Sequence, residues 1–578
     1  MSHRYSTVAL VASAALSLAR ASLFAQASHE LPLKYAGPPT SAAITPGDLM
    51  TRLYIYADDS MRGRDVLTQD NVRATAYIAR EAERLGLEPA GDNGTYFQSL
   101  PIVRRAVDSA TSTLTVAGKT FAFGTDFLAS TSGRQQGTRI DAIFFGTAID
   151  TTNLLTPSQV EGKYIALRPA TPPPNFNQAQ FIATEGYKRY IALVRAARGV
   201  MLIVDSIPAP SRDVYLRPRS QTIVRDFIDA PLNVTVTLPV AEAMFGAAPA
   251  SIARGAAAQP ATITLHVNDT PAPAGRNVVA ILRGSDPKLR GEYVVIGAHN
   301  DHIGVRPQGP LDHDSIKVFN MVARPQGAES APSKLTPDDW TRINATIDSL
   351  HKIHGGPRPD SVFNGADDDG SGTVSVLEMA EAFAKGKEKP KRSILFAWHA
   401  GEEHGMWGSE YLVNHPPVPR DSMVAEINID MVGRGAPTDI TGTDSHGQQV
   451  HGAERYTQLV GSRRLSTELG NLVETVNNGS DYHFTLDYAL DANGHPANIY
   501  CRSDHAMYAA WGIPVVFFTT GGHQDYHQLT DEPQYIRYDH MALLDRMMFD
   551  LAMRVANLDH RLVVDGQKMA DPHGACRQ

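Results

Sequence analysis

Four continuous apolar runs in the second half of the chain constrain its fold more than any other feature of the sequence. The runs cover residues 293–298, 393–400, 424–429 and 514–519. Apolar runs without polar alternation are typical of strands that are covered on both faces of a sheet. Helical spacing of apolar residues occurs between the runs, for example at 373–385. We therefore predict an α/β fold in which helices sandwich a mainly parallel or mixed sheet.

Polar side chains follow each run, at the point where the predicted strand ends. They are His299 and Asp301 after the first run, Glu402 and Glu403 after the second, Asp430 after the third, and Tyr526 and His527 after the fourth. Because the carboxyl ends of parallel strands meet at one edge of a sheet, we expect these side chains to lie close together. Imidazole and carboxylate groups are ligands that zinc favours, so the pattern indicates a metal site.

A fifth polar cluster, at 367–372, precedes a predicted helix and has a competing interpretation. Asp367, Asp369, Ser371 and Glu378 fall at the first, third, fifth and twelfth positions of a calcium EF-hand loop. An EF-hand needs a helix on both sides, whereas the preceding segment is rich in glycine and proline, which break helices. A calcium-binding structural protein is therefore an alternative with weaker support.

The order of these motifs resembles the M28 metallopeptidases, which include two-zinc aminopeptidases and have relatives among carboxypeptidases and glutaminyl cyclases. The motifs are His-x-Asp at 299–301, Gly-Ala-Asp-Asp-Asp-Gly-Ser-Gly at 365–372, Gly-Glu-Glu at 401–403, Asp-Met at 430–431 and Tyr-His at 526–527. The resemblance implies a zinc-exopeptidase fold of the phosphorylase/hydrolase type. It also implies two Zn²⁺ ions and peptide substrates.

The resemblance further implies a role for each residue of the motifs. The implied metal ligands are His299, Asp368 as the bridging carboxylate, Glu403, Asp430 and His527. Asp301 would orient the ring of His299, and Glu402 would be the general base that activates a metal-bound water. The hydroxyl of Tyr526 would be an extra donor to the oxyanion. In this family the peptide bond after the bridging aspartate is cis, which we expect here between Asp368 and Asp369.

The length of the chain and a change in its sequence pattern indicate more than one domain, since 578 residues suit a large domain with an accessory one. Residues 112–264 carry short β-like runs around one helical stretch at 178–197, and this segment resembles a protease-associated (PA) domain inserted into the M28 fold. We expect the catalytic domain to comprise 28–111 and 276–560, followed by a C-terminal tail at 561–578. Residues 306–360 are expected to form a surface insertion that either shapes the cleft or is a solvated loop.

The N-terminus has the pattern of a signal peptide covering residues 1–27. A weakly basic start precedes an apolar run at 8–18, and Ala25-Gln26-Ala27 is a small-x-small cleavage site, so the mature chain would begin near Ser28. The apolar run is too short to span a bilayer, so no stable membrane anchor is expected. We therefore predict export to the periplasm or the medium.

Two further features bear on partners and redox state. The net charge of -9 argues against a nucleic-acid partner, because binding to phosphates needs a basic surface. Cys501 and Cys576 could pair in an exported protein, but the sequence does not indicate that they are close. The sequence does not indicate an oligomeric state.

The motifs favour an aminopeptidase and leave other functions open. A carboxypeptidase or dipeptidase would use the same two-zinc site, because specificity depends on pocket residues. A glutaminyl cyclase is less favoured, because those relatives use one zinc and lack the first histidine ligand, whereas His299 is present. A non-enzymatic, receptor-like or metal-binding module is disfavoured by the presence of all five implied ligands.

Overall fold

The computed structural model describes residues 31–578, apart from residues 131–136, 148, 153, 174–175, 177–180, 182–183, 223–231, 273–274, 329, 331, 480 and 575. The predicted signal peptide lies outside the described residues. Among the described residues, none belongs to a helix that is both long enough and apolar enough to cross a membrane.

The chain divides into two compact units. The larger unit comprises Met1–Leu100 and Ala274–Gln578, and the smaller unit comprises Pro101–Pro273. The smaller unit is longer at both ends than the predicted segment 112–264. Strands Ile102–Val107 and Val267–Pro271, which lie outside the predicted limits, pair with each other in an antiparallel ladder and so belong to the smaller unit.

A mixed sheet of nine strands forms the centre of the larger unit. In chain order the strands are β1 (Glu88–Pro89), β2 (Phe97–Ser99), β3 (Arg276–Leu282), β4 (Tyr293–His299), β5 (Ser393–His399), β6 (Met423–Ile429), β7 (Tyr456–Val460), β8 (Thr485–Asp487) and β9 (Val515–Thr519). Their spatial order is β1-β3-β5-β4-β6-β9-β7-β8, with β2 also paired to β3. Strands β5, β4, β6 and β9 form a parallel centre, whereas β3 and β7 flank it in antiparallel pairings. The predicted α/β fold with a mixed sheet is confirmed.

Helices cover both faces of this sheet. The helices among the described residues of the larger unit are, in chain order, α1 (Pro46–Tyr56), α2 (Gln69–Arg84), α3 (His313–Ala323), α4 (Pro337–His354), α5 (Gly372–Lys385), α6 (Trp407–Asn414), α7 (Thr467–Gly479), α8 (His505–Ala510) and α9 (Tyr538–Asn557). In β3, Val278 and Ala280 face a core shared with α1, α2, α5, α7 and α9, whereas Val279 and Ile281 face a second core shared with α6 and α8. This double coverage explains why the strands read as unbroken apolar runs.

The segment 306–360 contains helices α3 and α4 and a short ladder between Leu311–Asp312 and Pro359–Asp360. Helix α4 begins at a capping box in which Thr336 and Asp339 exchange side-chain and backbone hydrogen bonds. It ends at Gly355, which adopts a left-handed conformation. The local sequence therefore specifies both ends of α4.

The described residues of the smaller unit form three sheets. One has five strands in the order Phe127–Ser130, Asn233–Thr237, Gly199–Val204, Tyr164–Arg168 and Ala142–Thr147. Another has four strands in the order Lys119–Ala122, Thr113–Val116, Ala261–Thr264 and Thr138–Ile140, and a third pairs Arg219–Thr222 and Val267–Pro271 with Ile102–Val107. Helices among its described residues include Pro157–Val160, Glu185–Ala196, Ala209–Leu216 and Leu238–Phe245. Part of the helix predicted at 178–197 lies outside the described residues, and the PA-domain assignment stays a prediction.

Cys501 and Cys576 are joined by a disulfide bond. The bond ties the C-terminal tail to the segment before α8 in the larger unit. The pairing that the sequence left open is therefore present in the structure.

Candidate metal centre

The predicted site residues lie at one edge of the central sheet, where its parallel strands end. His299 is the last residue of β4, Glu402 and Glu403 follow β5, Asp430 directly follows β6, and His527 lies in the loop after β9. Parallel strands end on the same side of a sheet, so four separate segments converge there. All five predicted metal ligands lie in this cluster.

Asp368 enters the cluster from an irregular turn, Ala366–Ser371, that leads into α5. The peptide bond between Asp368 and Asp369 is cis, as the resemblance implied. The carboxylate of Asp369 accepts hydrogen bonds from the backbone N–H groups of His299 at 3.0 Å, Gly372 at 2.9 Å and Met431 at 3.2 Å. Asp369 therefore joins the turn to the ends of β4 and β6, which fixes Asp368 relative to both strands.

The two carboxylate oxygens of Asp368 face two different groups of side chains. Oδ1 lies 3.2 Å from Nε2 of His299, and the same nitrogen lies 3.7 Å from Oδ1 of Asp430. Oδ2 lies 3.0 Å from Nε2 of His527, which in turn lies 3.1 Å from Oε2 of Glu403. Asp368 is therefore common to both groups, which is the geometry required of a bridging carboxylate.

These donors fit two divalent cations. Donors about 2.1 Å from one ion in tetrahedral geometry lie about 3.4 Å apart, and the separations here are 3.0–3.7 Å. Oδ2 of Asp368 and Oδ1 of Asp430 are buried and make no hydrogen bond. Buried carboxylate oxygens require a compensating positive charge, which a cation in each group would provide.

Electrostatic effects across the cluster follow from burial and from the imidazole–carboxylate contacts. Burial opposes ionisation of Asp368, but the adjacent His299 and His527 hold the pKa of its carboxyl well below the usual range. Burial disfavours the charged form of His527, yet its contacts with Asp368 and Glu403 raise its pKa to about 11. Without a cation, protonated imidazoles thus supply the positive charge, and a metal ion would have to displace those protons.

Asp301 supports the Gly-Glu-Glu turn as well as the first histidine. Its Oδ1 accepts hydrogen bonds from the backbone N–H groups of Gly401 at 2.7 Å and Glu402 at 3.2 Å. Nδ1 of His299 lies 3.1 Å from the backbone carbonyl oxygen of Asp301 and 3.8 Å from its carboxylate. The residue thus contacts His299 through its carbonyl group, while its carboxylate holds the turn that carries Glu402.

Glu402 lies beside the cluster without belonging to either group of metal donors. Burial raises the pKa of its carboxyl well above the usual range; His299 opposes this rise, and Asp430 and Glu403 add to it. A raised pKa is typical of carboxyl groups that exchange protons in catalysis. Tyr526 stacks on the ring of His527 with centroids 4.0 Å apart, and the role of its hydroxyl stays a prediction.

Three further residues support the cluster and were not assigned from the sequence. His302 lies one position after the His-x-Asp motif, and its Nδ1 lies 2.7 Å from Oε1 of Glu403. Ser503 donates a hydrogen bond to Oδ2 of Asp430 at 2.8 Å. Asp531 accepts hydrogen bonds from the backbone of the acidic turn. The extended spacing His-x-Asp-His was a usable signal for His302, and Ser503 lies in a polar run at 502–505, whereas Asp531 carried no signal.

The acidic turn does not have the arrangement of an EF-hand. Glu378, the residue at the twelfth loop position, forms a buried ion pair with Arg52 of α1. Asp367 accepts a hydrogen bond from the backbone of Gly433, and its second oxygen lies 3.1 Å from Nε2 of His523. These carboxylates therefore point to different partners and do not surround one ion.

Part of the larger unit matches a known protein family. Residues 277–552 match the model of Peptidase family M28. Leucine aminopeptidase 1 of Pyrenophora tritici-repentis is 28% identical over 258 residues, which cover 41% of this chain and 61% of the relative. Leupeptin-inactivating enzyme 1 of Streptomyces exfoliatus is 38% identical over 85 residues, which cover 14% of this chain and 19% of the relative. The chain thus spans less than two thirds of the length of these relatives.

Solved structures of aminopeptidases are also similar to this chain. The aminopeptidase from Aneurinibacillus sp. strain AM-1 matches with a TM-score of 0.42 and 14% identity, covering 91% of this chain and 97% of that one. A zinc aminopeptidase from Bacillus subtilis matches with a TM-score of 0.40 and 14% identity, covering 88% of this chain and 96% of that one.

Proposed function

We propose that the protein is a two-zinc aminopeptidase of the peptidase M28 type, which removes residues from the free N-terminus of peptides. The match of residues 277–552 to the model of Peptidase family M28 supports this proposal. The observation that carries the proposal is the position of Asp368, whose two carboxylate oxygens face two separate sets of histidine and carboxylate donors. A carboxylate shared in this way is what a pair of co-catalytic metal ions needs.

The protein residues would hold the metal ions and move the proton. His299 and Asp430 would bind one ion, Glu403 and His527 the other, and Asp368 both. Zinc bound there would lower the pKa of a coordinated water and polarise the scissile carbonyl group. Glu402 would accept a proton from the attacking water and deliver it to the leaving amine. The hydrogen bonds from Gly401 and Glu402 to Asp301 support this role, because they fix the turn on which the base lies.

The direction of cleavage is supported by the likeness to leucine aminopeptidases. A carboxypeptidase or dipeptidase would use the same metal site and remains the second candidate. The test is cleavage of a leucine-headed peptide, free and N-acetylated, followed by mass spectrometry with and without a zinc chelator. Chelator-sensitive, stepwise loss from the N-terminus of the free peptide alone is expected. Loss from the C-terminus of both forms would replace the aminopeptidase with a carboxypeptidase.

We also propose that the protein is exported and that the smaller unit is a PA-like domain. The small-x-small sequence at 25–27 supports export, and the disulfide between Cys501 and Cys576 is typical of an oxidising compartment. N-terminal sequencing of the protein recovered outside the cytoplasm should begin near Ser28. A retained N-terminus would contradict cleavage at this site.

A further inference from the structure

His302 lies against the cluster of proposed metal ligands, but it belongs to none of the sequence motifs from which that cluster was predicted. Its Nδ1 lies 2.7 Å from Oε1 of Glu403 and 3.7 Å from Oδ2 of Asp368. One donor atom each from His302, Asp368, Glu403 and His527 lies within 4.8 Å of the others. The group that contains His527 thus has four candidate donors.

The second group is smaller. It contains His299, Asp368 and Asp430, whose donor atoms also lie within 4.8 Å of one another. Structural zinc sites are closed by four protein ligands, whereas catalytic sites keep three and leave one position for water or substrate. The group around His527 therefore has four candidate protein ligands, as in structural sites, whereas the group around His299 has three, as in catalytic sites.

The ring of His302 is held in place before any ion binds. Its side chain is fully buried, and it packs against the backbone at Gly365. A Cβ atom at position 365 would lie 2.6 Å from two ring atoms of His302. Gly365 also adopts a φ of +54°, which residues with a side chain rarely adopt, so both the contact and the backbone conformation require glycine. A ring confined in this way loses little freedom when it binds a metal, which favours ligation.

We propose that His302 would be a fourth protein ligand to an ion held by Asp368, Glu403 and His527, so that this position would bind zinc more tightly and fill first. His299, Asp368 and Asp430 would offer an ion three protein ligands and so leave a position there for water or substrate. This inference rests on the proposed two-zinc centre. It predicts that the two positions differ in their affinity for zinc.

The first test counts imidazole ligands on the first metal equivalent. The full chain is stripped with a chelator and reloaded with one equivalent of Zn²⁺, and X-ray absorption then reports the number of coordinated imidazoles. Two imidazoles are expected, from His302 and His527. A single imidazole on the first equivalent would overturn the proposal.

The second test separates ligation from hydrogen bonding to Glu403. In His302→Asn the amide nitrogen can occupy the position of Nδ1 and donate to Glu403, but it is a poor zinc ligand. Loss of a hydrogen bond to a ligand weakens metal binding by about 10–100-fold, so loss of a direct ligand should exceed about 100-fold. We expect both His302→Asn and His302→Ala to weaken the first Zn²⁺ by more than this amount in a chelator competition.

Controls distinguish ligand loss from misfolding and from failure of the proposed function. His404→Asn changes a nearby histidine that contacts Asp65 instead of the cluster, and it should keep wild-type affinity. Thermal unfolding of the stripped variants shows whether each one is folded. His302→Ala leaves a cavity and should unfold at a lower temperature than His302→Asn, which keeps the hydrogen bond to Glu403. Wild-type affinity in His302→Asn would overturn the proposal even if the enzyme cleaves peptides, whereas a two-imidazole site without peptidase activity would overturn the proposed function alone.

Discussion

The carboxylate of Asp531 accepts a hydrogen bond from the backbone N–H of Asp368 at 3.1 Å. The same carboxylate accepts from the N–H of Asp367 at 3.0 and 3.1 Å. Asp531 lies four residues after His527, so one loop supplies a proposed metal ligand and also holds the backbone of Asp368. The position of Asp368 therefore depends on the loop after β9 as well as on the turn before α5.

Replacing Asp531 should weaken metal binding without removing a ligand. In Asp531→Ala both hydrogen bonds to the turn are lost, and zinc affinity should fall by about 10–100-fold, as for other residues that orient metal ligands. Asp531→Asn keeps one acceptor oxygen and should show a smaller loss. Chelator competition measures both effects. Equal affinity in wild type and Asp531→Ala would show that the turn holds Asp368 without this support.

The insertion at 306–360 packs against the loop that carries His527. The backbone N–H of Ala328 donates to the carbonyl oxygen of Tyr526 at 3.1 Å. A Cβ atom at position 327 would lie 2.8 Å from Cβ of Tyr526 and 2.9 Å from the carbonyl oxygen of His523. The segment therefore supports the loop that carries His527, in addition to covering the surface.

Gly327→Ala should displace this loop and reduce turnover. Misplacement of a catalytic group by about 1 Å can cost on the order of 100-fold in rate, so we expect a loss of about 10–100-fold. Gly309→Ala is the matched control, because both glycines have positive φ (+95° and +88°) but position 309 has no atom within 4 Å of an added Cβ. Equal activity in the two variants would exclude a steric coupling between the insertion and the site.

Glu402→Gln should separate metal binding from proton transfer. The variant keeps every proposed metal ligand and the backbone bond to Asp301, but an amide cannot accept the proton of the attacking water. We expect wild-type zinc content and a loss of turnover of about 100-fold or more. Near-wild-type turnover in a folded, metal-loaded Glu402→Gln protein would eliminate Glu402 as the base.

Glu378 should make the stability of the larger unit depend on pH. Burial raises the pKa of its carboxyl from 4.5 to about 7, although Arg52 opposes the rise. Because the folded state binds this proton more tightly, the contribution is fully present below about pH 4.5 and is lost as the pH rises towards 7. Glu378→Gln cannot titrate, so the difference in free energy of unfolding between wild type and variant should change by about 3 kcal/mol over this range. A difference that is constant with pH would contradict the raised pKa.

The sequence predicted the sheet and the convergence of its strand ends for a clear physical reason. Strands β4, β5, β6 and β9 are buried on both faces, so their apolar runs are unbroken, and their parallel arrangement makes their polar ends meet. His299, Glu403 and Asp430 could therefore be grouped without a structure. Helix α4 was not predicted, although its capping box at Thr336 is a local signal.

Other features depend on tertiary contacts that leave no local pattern. Asp531 resembles any loop aspartate until the loop folds onto the turn at Asp367. The limits of the smaller unit depend on the pairing of Ile102–Val107 with Val267–Pro271, which are far apart in the chain. The contact between Ser503 and Asp430 likewise joins two segments that only the folded sheet brings together.

The most direct test of the account is a zinc titration of the stripped enzyme in which metal content and cleavage of a free leucine-headed peptide are measured on the same samples. We expect full activity only when two zinc ions are bound per chain, and we expect Asp368→Ala to reach neither two ions nor activity, because Asp368 faces both groups of donors. Full activity in the stripped enzyme, or two tightly bound ions in Asp368→Ala, would contradict a catalytic centre bridged by Asp368.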